Sequence, residues 1–297
     1  MNDILKAIQI GDRRALARFI SMVENEVAGY REMLAALSFA PTPVIGITGP
    51  PGAGKSTLIN CLVENLLHQN KKVAVVAVDP SSPFNKGSLM GDRIRMSQHF
   101  LNPNLFIRSM ASRGSLGGLA PKIFEVCDVL RAARFDYIII ETVGVGQSEV
   151  EIAGLADTTL LVLVPEAGDD IQTIKSGIME IADIFVVNKS DRAGADILFK
   201  NLSYLAHTHA EANWEIPVIN TVALLNEGIE LLVEAIHKHS IISNTSSKKN
   251  HLLAQKAMMM IKELRTRDIR IKELEDDLLQ ASGKTDFNLY SYIEKYG

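Results

Sequence analysis

Cysteine is almost absent: Cys61 and Cys127 are the only two among 297 residues. Both fall in stretches that read as helix. Two isolated thiols exclude a disulfide framework and a cysteine-rich zinc site, and they suit a reducing compartment. Neither charge is in large excess. A net charge of −4 with a pI near 6.0 gives no general attraction to nucleic acid or to an acidic membrane. Long apolar runs are missing too, since Val73–Val78 and Thr159–Val164 are far too short to cross a bilayer. The opening residues Met1-Asn2-Asp3-Ile4-Leu5-Lys6 read as an amphipathic helix rather than a secretion signal or an Arg-rich leader. A cytoplasmic protein is expected, with no nucleic-acid and no membrane partner.

What is present is apolar and regularly spaced. At 47% hydrophobic residues, the chain can bury one large core or two smaller ones. Residues 1–40 read as a helical arm with Ile4, Ile8, Leu16, Phe19 and Ile20 on one face, and Pro41 and Pro43 punctuate its end. Short apolar runs then alternate with helical stretches, and strands are expected at 44–48, 73–79, 105–108, 137–141, 159–164, 184–188 and 217–220. Runs without polar alternation suit an α/β fold, a mostly parallel sheet covered by helices on both faces. Residues 41–242 are taken as this domain. Ser243–Lys249 reads as a linker opening a C-terminal helical arm, 243–297, where Ala257, Leu264, Ile271 and Leu278 recur every seven residues. Such a seam serves either an intrachain hairpin or a dimer. The aromatic tail (Phe287, Tyr290, Tyr292, Tyr296) is expected to dock on the core.

Directly after the first strand stands Gly49-Pro50-Pro51-Gly52-Ala53-Gly54-Lys55-Ser56-Thr57, the pattern G-x-x-x-x-G-K-S. A strand that turns so and opens a helix aims backbone N–H groups and the helix dipole into one concavity, which suits a polyphosphate. Lys55 is expected to bridge the outer phosphates and Ser56 to ligate Mg²⁺. An ordinary glycine-rich turn would need neither residue at those offsets.

A second motif, Asn188-Lys189-Ser190-Asp191, closes the run Ile184–Val187. In this N-K-x-D arrangement the Asp191 carboxylate accepts from guanine N1–H and N2–H₂, groups that adenine lacks. Lys189 lays its stem over the base plane, while Asn188 reaches the N7/O6 edge and braces the phosphate loop. The competing reading is a helix N-cap. After a phosphate loop and at a strand end, the pattern favours GTP/GDP over ATP.

Asp79 ends one apolar run, Glu141 ends another, and Asp92 sits in Gly91-Asp92-Arg93. Together with Ser56, these carboxylates can surround Mg²⁺, though each alone also suits an N-cap or a surface charge. Lys55, Asp92 and Glu141 are the candidates for hydrolysis. Beyond Glu141, the glycine-rich stretch Thr142–Gln147 can set the Gly144 N–H against the γ-phosphate, with Gln147 near a water or a partner.

These segments, together with Ala77–Ser82, Gly91–Met96, Glu141–Glu149 and Ile174–Asp183, resemble the ArgK/MeaB-type GTPases, whose mitochondrial relative serves methylmalonyl-CoA mutase. The resemblance implies a P-loop GTPase domain with N- and C-terminal helical arms, the latter used for homodimerisation. It also implies a GTP-dependent chaperone that gates cofactor loading of an adenosylcobalamin-dependent acyl-CoA mutase and protects that enzyme. By position it makes Asp79, Asp92 and Glu141 the carboxylates around the metal. It sets Asp169 and Lys175 in an additional switch facing the mutase, and Arg93 and Arg95 near transition-state charge.

Two departures stand out. Val222 precedes Ala223 where the family has Ser, leaving the Ala223 N–H to reach guanine O6, and Glu166 follows Pro165 where the family has Gly. A kinase or ATPase of lysine-arginine-ornithine transport is one alternative, although N-K-x-D is of little use to it. A nickel metallochaperone GTPase is another, without the cysteine and histidine motifs that class relies on. A switched scaffold that barely hydrolyses is a third. His207-x-His209 and His237-x-His239 are expected to be solvated surface residues, because i and i+2 point apart on a helix.

Overall fold

The apolar runs become strands β1 (Val44–Thr48), β2 (Val73–Asp79), β3 (Leu105–Ala111), β4 (Tyr137–Glu141), β5 (Thr158–Leu163), β6 (Ile184–Asn188) and β7 (Val218–Thr221). The computed structural model describes residues 2–79, 99, 101–112, 120, 122–142, 152–167, 181–208, 214–243, 254, 257–258, 260–262, 264–266, 268–282 and 287–296. The strands form one sheet in the order β3-β2-β4-β1-β5-β6-β7, with every neighbouring pair parallel.

Every residue of β1, β4, β5 and β6 is buried, as a sheet covered on both faces requires. Alternate side chains feed opposite layers. Val44, Ile138 and Ile140 pack with helices α1 (Asn2–Gln9), α2 (Arg13–Glu24), α3 (Tyr30–Ala35) and α5 (Ile123–Ala132). Ile45, Ile47 and Ile139 pack with α4 (Lys55–His68) and α7 (Ile229–Ser243). Phe185 and Val187 of β6 meet α6 (Ala195–Thr208).

The N-terminal helices are therefore part of the core. Asp12 caps α2, its Oδ1 accepting from the Arg14 and Ala15 amides at 2.8 and 2.9 Å. Leu16, Phe19, Ile20 and Val23 of that helix are buried at helical spacing. From β3, Arg108 donates to Glu24 and, at 3.2 Å, to Ser21 Oγ, tying α2 to an edge strand.

Compact grouping divides the chain at residue 249/250; the expected linker residues 244–249 lie outside the described residues. The second unit contains α8 (Ile271–Ser282) and α9 (Leu289–Ile293). Its aromatic tail finds partners within that unit. Phe287 and Tyr296 each approach Tyr292, and Lys295 lies 3.9 Å above the Tyr292 ring while reaching Asp277 at 3.2 Å.

One histidine corrects the sequence reading. His207 and His237 are exposed, but His239 is buried. Its Nδ1 lies 2.8 Å from Thr158 Oγ1 and its Nε2 3.5 Å from Asp183, with the Trp214 ring beside it. Helix α7 crosses the amino ends of β5 and β6 here, so the face carrying residue 239 turns inward. His209 lies outside the described residues.

Candidate nucleotide site

β1 ends at Thr48 and α4 begins at Lys55, so residues 49–54 form the loop between them. Two glycines are required by space as well as by dihedral angle. Gly49 has φ +141°, and a Cβ there would lie 2.1 Å from the Val162 carbonyl oxygen. Gly54 has φ +85°, and a Cβ there would lie 2.5 Å from Asn188 Nδ2. Helix α4 starts without a side-chain cap or an acidic residue in its first turn. Its orphan amides therefore face the loop, the arrangement an anion needs. Lys55 is buried and donates to the Gly49 and Pro50 carbonyls at 2.8 and 3.1 Å, which holds its ammonium at the start of the loop.

Beside this loop, β4 runs parallel to β1 with Glu141 opposite Ile47. That register sets the Glu141 carboxylate 2.7 Å from Ser56 Oγ, which donates to it. Thr142 donates to Thr48 at 2.9 Å just behind. A hydroxyl beside a carboxylate is a hard-oxygen pair, and its chemistry fits Mg²⁺. Asp79 closes β2, two residues beyond the position paired with Glu141. Its side chain, and all of Asp92, Arg93, Arg95, Gly144, Gln147, Asp169 and Lys175, lie outside the described residues. Among the described residues, no three His, Cys, Asp or Glu side chains cluster as a metal site.

The base-reading tetrapeptide follows β6. Asn188 is buried, and both ends of its carboxamide are engaged. Nδ2 donates to the Ala53 carbonyl at 2.8 Å, while Oδ1 accepts from Thr221 Oγ1 at 3.1 Å and the Ala223 amide at 3.3 Å. Lys189, in the left-handed region at φ +55°, donates to the Gly52 carbonyl at 2.9 Å. Asp191 is exposed, with its carboxylate at the surface. The phosphate loop, the end of β6 and the loop after β7 thus meet at one asparagine.

Three contacts escaped the sequence reading. Thr221 supports Asn188. Cys61 of α4 approaches the Ala223 carbonyl at 3.0 Å, and burial, followed by the nearby Glu64 charge, pushes its thiol pKa up so that it stays a donor. Glu166 pairs with Arg192, just after the tetrapeptide. The Arg192 hydrogen bond holds the Glu166 carboxyl below its ordinary range, and Glu166 in turn raises Arg192. Partners 33 and 162 residues apart, as for Thr221 and Cys61, leave no local spacing to read; at Glu166 the unexpected charge was the one signal.

Among the described residues, no helix is long and apolar enough to cross a membrane. Similarity to known proteins runs along the whole architecture. A Pyrococcus abyssi protein, named a GTPase by inference, is 48% identical over 245 residues, covering 80% of this chain and 76% of that protein. The GTPase ArgK of Escherichia coli is 32% identical over 302 residues, covering 96% and 87%. The crystal structure of a LAO/AO transport system kinase superposes with a TM-score of 0.71 at 25% identity, covering 99% of this chain and 95% of that one. The sequence profile of the methylmalonyl-CoA mutase-associated GTPase MeaB matches residues 16–276. A match of that extent, over a phosphate loop and a base-reading loop joined through one buried asparagine, makes this chain a member of the MeaB family of P-loop GTPases.

Proposed function

We propose that the protein hydrolyses GTP and, through that cycle, acts as a chaperone for an adenosylcobalamin-dependent acyl-CoA mutase, gating cofactor loading and protecting the loaded enzyme. The observation that carries the guanine reading is the Asn188 junction, which fixes the base-reading loop to the phosphate loop at 2.8 Å. With those loops joined, Asp191 accepts from guanine N1–H and N2–H₂, and the Lys189 stem flanks the base. Adenine would leave that carboxylate unpaired at a cost of about 1–3 kcal/mol.

Lys55 would neutralise the outer phosphates, and the amides of Gly52–Thr57 would cradle them. Ser56 and Glu141, with Asp79 and Asp92 as further candidates, would hold Mg²⁺. When bound, the ion supplies charge neutralisation at the phosphate oxygens. The backbone at Gly144 would complete the phosphate contacts, and the Ala223 N–H would reach guanine O6 on leaving Asn188 Oδ1, which accepts from it at 3.3 Å. The mutase is supported as client by the family description, and the repeating seam at Ala257, Leu264, Ile271 and Leu278 supports a homodimer formed through the C-terminal arm. A cytoplasmic setting agrees with the cysteine usage.

The test is GTP turnover by the full chain, alone and with an acyl-CoA mutase from the same source, with Lys55→Ala as the inactive control. A low basal rate raised many-fold by the mutase is expected. A rate indifferent to the mutase, with phosphate appearing on a basic amino acid or a protein, would replace this reading by the kinase one. That alternative has its support in the name of the LAO/AO transport system kinase.

A further inference from the structure

The base-reading loop carries an internal hazard. Lys189, Asp191 and Arg192 put two cations and one carboxylate within four residues. Asp191 is exposed, and its immediate neighbour is a guanidinium whose planar fork matches a carboxylate well. An Arg192–Asp191 pair would occupy the oxygens that guanine must use.

A second carboxylate enters from another strand. After β5, residues Pro165–Ala167 form a 3-10 turn. That turn meets the far end of the base-reading loop, where a Cβ added to Gly194 would lie 3.7 Å from Pro165 Cβ. From it Glu166 reaches Arg192 Nη1 in a direct ion pair, each side chain about half exposed at 49% and 50%. The Arg192 amide donates to the Lys189 carbonyl at 3.0 Å, so the guanidinium leaves the loop from a fixed turn. The charges along this edge, Lys189, Asp191, Arg192 and Glu166, then sum to zero. The Asp191 charge also acts on Arg192, more weakly than Glu166 does.

We propose that Glu166 is a positioning residue for guanine recognition: by engaging Arg192 it keeps that guanidinium off Asp191 and leaves the Asp191 carboxylate to the base. This rests on the guanine-reading role of Asp191. Because the pair is half exposed, its contribution to folding is small and its effect is on binding.

The experiment measures affinity for GDP, IDP and ADP in the full chain and in Glu166→Ala, Arg192→Ala and the double variant, with melting temperatures alongside. Glu166→Ala is expected to weaken GDP about threefold to fivefold, the range an exposed charge pair commands. It should also narrow the GDP-to-IDP ratio, since inosine lacks the N2 amine that Asp191 reads. Arg192→Ala should bind within about twofold of the parent, and the double variant should recover, because no guanidinium remains to capture Asp191. Salt near 1 M should shrink the Glu166→Ala defect.

A pair that merely staples two turns would behave otherwise. Arg192→Ala would then harm binding as much as Glu166→Ala, the double variant would be no better, and the proposal would fall. It would fall equally if Glu166→Ala bound GDP like the parent. A parent protein that does not prefer GDP to ADP would overturn the Asp191 reading itself, an outcome visible before any variant is made.

Discussion

Asn188 and Asp191 are three residues apart, yet they answer to different tests. Asn188 is buried with partners in the phosphate loop, at the end of β7 and in the turn after it, so its loss leaves the Ala53 carbonyl, the Thr221 hydroxyl and the Ala223 amide short of a partner. Asn188→Ala is expected to cost about 2–4 kcal/mol in chemical denaturation, and to weaken every nucleotide whatever its base. Asp191 is at the surface, so Asp191→Asn should leave the denaturation midpoint where it was. It should move preference toward xanthosine nucleotides, because the amide offers a donor to the xanthine 2-oxo group. A lowered midpoint in Asp191→Asn, or unchanged base preference, would refute that division. The tetrapeptide was legible because its chemistry is carried by spacing alone. Its supports were not: Thr221 and Cys61 look like an ordinary strand residue and an ordinary helix residue until the fold brings them in.

At the scale of elements, all seven strands were legible, since a covered parallel strand shows as an unbroken apolar run. Their ends were less so. β3 was expected at 105–108 but extends to Ala111, because Asp79 of β2 still pairs there. Arg108 and Ser109 break the apolar pattern while the backbone ladder continues. Arg108 also joins α2 to the sheet through Glu24, and both side chains are mostly shielded, at 21% and 13% exposed. Arg108→Ala is expected to destabilise by about 1–3 kcal/mol, since Glu24 keeps its charge without its partner. Hydrogen exchange should quicken in α2 before it quickens in β1. Uniform exchange across both would show that the arm and the sheet open as one. The burial of His239 was missed for a related reason: helical spacing says which residues share a face, not which strand end that face will cover.

For the whole molecule, the parallel sheet gathers the loops after β1, β4, β6 and β7 at its carboxyl edge, where the candidate site lies. The helical arm beyond residue 249 is a compact unit of its own. In it Leu264 and Ile271, two members of the seven-residue repeat, are 43% and 74% exposed. If that seam joins two copies, light scattering of the full chain should give twice the 32.6 kDa chain mass. Leu264→Asp with Ile271→Asp should halve it while leaving GDP affinity unchanged. A monomeric parent chain would remove the dimer from the proposed function.

Gly49 has a mechanical consequence. Its backbone lies so close to the Val162 carbonyl that not even a methyl group fits between them. Val162 is only three positions before Pro165, where β5 has ended and the turn that holds Glu166 begins. A pull on that turn has only a short length of extended chain, roughly 10 Å, in which to dissipate before it bears on the first hinge of the phosphate loop. The fold thus ties an exposed turn to the start of the phosphate loop through three residues of chain packed against a glycine.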